Sequence, residues 1–316
     1  MLFVSSRNKT DSFTPYRTLC NDMAPDGGCF VPYQLPALDD KALNEMREKS
    51  FCDNVAEVLN LFFATKLTAW DVECAAGRKP VRLVPMPYRL MILECFHNVA
   101  GSYSYLEKAL FEKLNGQASA PTVWARIAIR VAVLLATYAT MNTPERRSFD
   151  VAVNTGDFCT PMAVWYCRKL GMPIQSIICC CNDNGAVWDL IQRGEFNTGA
   201  PVINTGMPDL DYPRPDQLEQ LIYHTLGFEQ VSIYKACCDK KGIFHLDAEQ
   251  FSLLSDGLRA AVVSKSRIGS IVQSVKRTNQ YSISERTATS FGGLQDHRSR
   301  TGESRYILVF ADDKTA

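Results

Sequence analysis

A chain of 316 residues, 46% hydrophobic and 22% charged, is long enough to bury a sizeable core and has the balance of an ordinary globular protein of one or two domains. Its formal net charge is zero, which gives no electrostatic drive toward nucleic acid or an anionic membrane surface. The first residues, Met1-Leu2-Phe3-Val4-Ser5-Ser6-Arg7, lack the apolar core of a signal peptide, and no uninterrupted apolar run suggests a membrane span, so the cytoplasm is the expected compartment. The twelve cysteines are scattered, apart from Cys179-Cys180-Cys181 inside an apolar, strand-like run. Adjacent strand residues point to opposite faces, so these three cannot converge on one metal and read as reduced, buried thiols.

In chain order, Pro25-Asp26-Gly27-Gly28 is turn chemistry, with Pro presetting the first bend and Gly accepting a positive φ. Helical patterns follow over residues 39–49 and 51–66, where Val55, Val58, Leu59, Phe62 and Phe63 form an apolar stripe. Residues 80–93 read as extended. Lys108 falls within a predicted helix beside Glu107 and four residues before Glu112, the pattern of a solvated helix lysine. Residues 124–141 form a long helical pattern that is apolar on nearly all faces, either a buried helix or a homo-oligomer interface.

The most informative stretch is Val151-Ala152-Val153-Asn154-Thr155-Gly156-Asp157-Phe158-Cys159-Thr160-Pro161. It reads as strand, tight turn and helix, with Thr160 expected as N-cap and Pro161 at the first helical position. Such a turn aims backbone N–H groups and the positive end of a helix at one point, the arrangement that holds phosphates. A second strand over 176–181 makes the segment a βαβ unit of a parallel sheet. Asn182 then stands at the carboxyl edge, where ligands of open sheets collect. Helices are expected over 217–226 and after Ala248, and a last strand over 306–310 leads to Asp312 and Asp313.

Several of these motifs, in order, resemble those of the threonine synthases, pyridoxal-phosphate enzymes of fold type II. Ser6-Arg7 and residues 23–32 are similar to the family's Thr-Arg and Leu-Ala-Pro-Asp-Gly-Gly-Leu-Tyr-Val-Pro. Residues 155–160 resemble its phosphate loop, Thr-Gly-Asn-Phe-Gly-Asp/Asn; Trp124-Ala125-Arg126-Ile127 resembles its Trp-Ala-Arg-Ile, and Asn182-Asp183-Asn184 its Asn-Glu-Asn. The resemblance implies an α/β fold with an open, mostly parallel sheet, of the tryptophan synthase β-like class, lacking most of the small domain. It implies an N-terminal domain over residues 1–80 and a remnant large domain over 81–316, with the small domain deleted near 115–121.

The departures strike the chemistry. Residues 94–110 resemble the segment bearing the family's Schiff-base lysine, but counting from His97 that position holds Ser104, and counting from Ala109-Leu110 it holds Leu106; Lys108 is the nearest lysine. Asp157 brings a carboxylate where the family has an amide, and Cys159 a side chain where it has Gly. Ser284-Glu285-Arg286 stands where the family has Asp-Pro-His.

The expectation is a threonine synthase-like protein that has lost threonine synthesis and acts as a non-catalytic binding or regulatory homologue. No cofactor is expected, and a small anionic ligand is expected in the old cleft. The alternative is an active pyridoxal-phosphate-dependent lyase using Lys108, or a site completed by oligomerisation, with pyridoxal phosphate as its cofactor. On either reading Thr155, Gly156, Asp157, Phe158, Cys159, Thr160 and Asn182 are the residues of the remnant cofactor site.

Overall fold

The structure is a computed structural model that describes residues 1–78, 81–95, 103–142, 146–302 and 305–311. His97, Pro144-Glu145, Asp312 and Asp313 lie outside the described residues. The N-terminal segment contains β1 (Phe3–Ser5), β2 (Asn8–Phe13), α1 (Pro15–Cys20) and β3 (Phe30–Pro32), then α2 (Asp40–Glu45), α3 (Phe51–Phe63) and α4 (Ala69–Ala76). Its strands make a small antiparallel sheet with β1 in the middle. Capping boxes at Ser50/Asp53 and Thr68/Asp71 start α3 and α4, each side chain satisfying the other's backbone N–H. The expected stripe on α3 is buried along its length.

The remainder runs β4 (Arg82–Met86), β5 (Leu90–Glu94), α5 (Tyr103–Asn115), α6 (Val123–Thr140), β6 (Phe149–Asn154), α7 (Cys159–Lys169), β7 (Ile174–Cys181), α8 (Ala186–Arg193) and β8 (Glu195–Asn197). It continues with α9 (Leu218–Leu226), α10 (Phe228–Lys240), β9 (Ile243–His245), α11 (Ala248–Ser255), β10 (Leu258–Val262), α12 (Lys265–Asn279), α13 (Glu285–Thr301) and β11 (Tyr306–Ala311). Six strands form the central sheet in the order β10-β7-β6-β11-β5-β4, parallel except for the antiparallel edge pair β4/β5. The β6–α7–β7 unit is the expected parallel βαβ.

Helices cover both faces of the sheet, and the period-two alternation of the strands divides the core accordingly. Val151 and Val153 join a core with α3, α5, α6 and α7, while Ala152 joins the opposite core with α12 and α13. The cysteine run follows the same alternation, Cys179 and Cys181 to one face and Cys180 to the other. On that second face α13 lies close to the sheet because it presents glycine: a Cβ on Gly293 would come within 2.3 Å of Cys180 Sγ.

The apolar helix α6 is the buried alternative of the two expected. By length and composition it could cross a membrane, yet 83% of it is buried inside this chain. Only Val123, Arg126 and Thr140 keep appreciable exposure, so an oligomer interface would have to use another surface. Trp124 at its start joins the two parts of the chain. Phe3 and Phe62 meet the indole edge-on at 5.0 and 5.7 Å, and Tyr166 of α7 does so at 5.4 Å. The core is therefore continuous across residue 80.

Beside that cluster, His224 of α9 stacks on Trp165 at 5.0 Å and its Nε2 lies 2.8 Å from the Tyr166 hydroxyl. Desolvation, with Lys169 nearby, pulls its imidazole down to about 4. Because the folded state keeps this ring neutral while the unfolded chain protonates it near 6.5, stability is lost as pH falls below 6.5. With the ring partly exposed, the expected loss between pH 7 and 5 is about 1–2 kcal/mol. Urea denaturation at the two pH values checks this, since His224→Gln should flatten the difference.

Candidate functional site

The carboxyl end of β6 opens onto a cleft of about 390 Å³. Its floor is the loop between β6 and α7. Gly156 adopts a φ of +43°, and a Cβ there would approach the Asp209 carbonyl oxygen to 3.0 Å, so the turn requires glycine. Phe158, buried, takes the left-handed conformation that sends the chain into α7. The helix begins two residues earlier than the sequence suggested. Cys159 is its first residue, Pro161 its third, and Thr160 is inside the helix rather than its cap. The local rule for Thr-Pro gave way to Asp157, whose Oδ1 accepts the Cys159 N–H at 3.0 Å.

The opposite wall comes from α5 and α6. Arg126 and Arg130 are four residues apart on α6 and so share one face. Arg126 Nη1 lies 2.6 Å from Asp157 Oδ2, and its Nε lies 3.8 Å from Glu107 Oε2. Arg130 Nε sits 2.8 Å from Glu107 Oε1, both side chains almost wholly buried. Across the cleft Arg286 Nη1 meets Asp209 Oδ2 at 3.1 Å. Tyr103, Ser104, Pro121 and Tyr212 complete the lining.

These pairs set the charge states. Burial works to raise Asp157, but Arg130 and Arg126 outweigh it and hold the carboxyl below its ordinary value. Burial pushes the Cys159 thiol up, with the Asp157 carboxylate adding to the effect, so it stays protonated and unreactive. Burial opposes the charge on Arg130, and Glu107 more than offsets it, raising the guanidinium further.

Of the expected site residues, Thr155, Gly156, Asp157 and Thr160 line the cleft. Phe158 and Cys159 lie buried beneath the loop. Asn182 is buried elsewhere: its amide donates to Thr205 Oγ1 at 3.0 Å and Asp211 Oδ1 at 2.7 Å, tying the segment around Thr205 and Asp211 to the strand end. Ser104 lines the cleft, Leu106 is fully buried in the core, and Lys108 is exposed and not part of the lining. Of the two ways of counting toward the lysine position, the one ending on Ser104 therefore reaches the cleft wall. Among the described residues no lysine lines it.

Sequence reasoning missed Glu107, Arg130, Asp209 and Arg286 as cleft residues. Two arginines four apart in an otherwise apolar helix were the available signal, since buried charges require partners.

An open, mostly parallel sheet covered on both faces, with a glycine-bearing strand-to-helix loop at its carboxyl edge, is the architecture of fold type II pyridoxal-phosphate enzymes. The solved structures agree on the fold. Threonine synthase from Brucella melitensis, solved with pyridoxal phosphate bound, superposes with a TM-score of 0.86 at 16% identity, over 99% of this chain and 89% of that one. Yeast threonine synthase gives 0.84 at 15% identity, over 99% and 87%.

A family model described as threonine synthase N terminus matches residues 2–76. Threonine synthase of Methylobacillus glycogenes is 23% identical over 175 residues, 54% of this chain and 36% of its own length. Mouse threonine synthase-like 1 is 29% identical over 105 residues, 32% of this chain and 14% of its own. The matched stretches thus span well under two thirds of these relatives. The chain is thus similar to the threonine synthases, in sequence over its N-terminal segment and in fold over nearly its whole length.

The buried Glu107–Arg130 pair yields a stability prediction. Arg130→Met strands a buried carboxylate and should cost about 3–5 kcal/mol, whereas Glu107→Gln/Arg130→Met together should cost markedly less. Chemical denaturation of the single and double variants reads the difference.

Proposed function

We propose that this chain is a threonine synthase-like protein that has lost Schiff-base chemistry and serves as a non-catalytic binding or regulatory homologue. The observation that carries the reading is the cleft lining, in which Ser104 faces the cavity and no described lysine does. Pyridoxal phosphate reacts through the amine of a lysine, and a hydroxyl cannot replace it in forming an imine. The residues present therefore do not fit that group as a covalently held cofactor. Lys108, one turn beyond Ser104, is directed to solvent rather than to the cavity.

Two further features support the same reading. The family's phosphate loop keeps its glycine turn, but Asp157 sets a charged carboxylate into it, and unit charges of like sign 4 Å apart repel by about 4 kcal/mol at an effective dielectric of 20. Residues 116–122 connect α5 directly to α6, and on this reading that link stands where the family inserts its small mobile domain. Without such a domain the cleft has no closing wall to exclude water from a reaction. A cytoplasmic setting belongs to the same proposal and rests on twelve cysteines, none in a disulfide and most of them buried.

The absorbance spectrum of the purified chain with added pyridoxal phosphate tests the reading. No imine band and no borohydride-fixed adduct on a cleft lysine is the expected result. A band that borohydride fixes at Lys108, and that Lys108→Ala abolishes, would return the chain to the lyases.

A further inference from the structure

We propose that Asp157 is a resident anion whose carboxylate fills the cleft's anion seat and so bars phosphorylated ligands from it. The inference deepens the reading of the cleft as a non-catalytic binding site and rests on it. Its basis is the distribution of the two carboxylate oxygens. From the residue before the N-cap Phe158, Oδ1 accepts the N–H of Cys159, the first residue of the eleven-residue helix α7, at 3.0 Å. Oδ2 meets Arg126 Nη1 at 2.6 Å, and Arg130 one turn further along α6 adds to the positive field. A helix opening and an arginine together are what a phosphate seeks, and here each already has an oxygen to hold.

The competition is unequal. Asp157 belongs to the loop, so its carboxylate reaches Arg126 without losing the freedom that a diffusing ligand must give up. A phosphate entering the cleft would have to displace it, and would then face it as a neighbouring negative charge. Arg286 offers no second seat, since Asp209 pairs with it on the other side.

What the cleft leaves open to a ligand is uncharged. Tyr103 is 1% exposed and lines the cleft, with the Arg130 guanidinium over its ring at 5.4 Å. Ser104 and Thr160 line the same space. Hydroxyls both donate and accept, and so suit a neutral polar ligand. The class of ligand that fits is therefore a small polar molecule without a phosphate.

Inorganic phosphate is the probe, titrated into the full chain and into Asp157→Asn and followed by phosphorus NMR. The asparagine amide oxygen can still accept the Cys159 N–H, so the turn is kept while the charge is removed. The variant should bind phosphate about tenfold or more tightly than the natural chain. Adding Arg126→Gln should abolish that gain. Circular dichroism and thermal melting establish that the variants are folded, and Asp157→Ser, a second charge-free residue able to cap the helix, should reproduce the gain.

Equal phosphate binding by the natural chain and a folded Asp157→Asn, or no binding by either folded charge-free variant, overturns the proposal. Phosphate has no aldehyde, so this outcome is independent of imine formation. A borohydride-fixed lysine adduct would sink the non-catalytic reading and leave the phosphate result standing on its own.

Discussion

The ion pair between Arg126 and Asp157 is the constraint on which the cleft depends. It ties the start of α6 to the loop that opens α7, and so joins a helix that is 83% buried to a turn whose backbone demands glycine. A charge on an apolar helix is costly unless it is answered, and the answer here comes from two directions at once. Asp157 approaches from the loop and Glu107 from α5, with Arg126 and Arg130 between them. The cleft wall is thus an internally balanced set of charges. Such a set holds its shape without a ligand, and for the same reason offers a charged ligand little.

The N-terminal segment contributes rigidity rather than chemistry. Thr122 caps α6 and donates to the Thr18 carbonyl oxygen at 2.7 Å, while Asp22 accepts the N–H of Val123 at 2.9 Å, so the helix starts from a position fixed by the N-terminal segment. The motif Ser6-Arg7 has the same kind of role. Arg7 pairs with the buried Glu219 of α9 at 2.7 Å, and the turn at Gly28 closes so tightly over Ser5 that a Cβ would reach its hydroxyl at 2.2 Å. Residues that looked like a signature of activity are, in this chain, the clamp that sets two layers together.

Local pattern carried much of the fold. The stripe on α3, the alternation through Cys179, Cys180 and Cys181, and the strand–helix–strand order around Gly156 each arise from a period that the sequence displays directly. The site was less legible because its logic is tertiary. The spacing of Lys108 and Glu112 is visible in one dimension, but the turning of Glu107 inward to Arg130 depends on where α6 lies. Thr160 had the chemistry of a cap and Asp157 that of an intruder in a phosphate loop. In three dimensions the intruder accepts the N–H of Cys159, the first residue of a helix that starts earlier, with Phe158 at the N-cap position. Asn182, at the edge where ligands gather, spends its amide on Thr205 and Asp211 instead.

A fold can outlast the reaction it once served because different residues carry the two. The parallel sheet, the Trp124 cluster and the helix caps depend on burial and backbone geometry, which Ser104 at the cleft wall and Asp157 in the loop leave untouched. A helix opening and an arginine in a half-buried site nevertheless carry an electrostatic demand. A carboxylate within the loop meets that demand locally, and does so in every molecule without a ligand to supply it. Asp157 therefore fixes the loop against α6 and, on the proposal above, is the group a phosphate would have to displace.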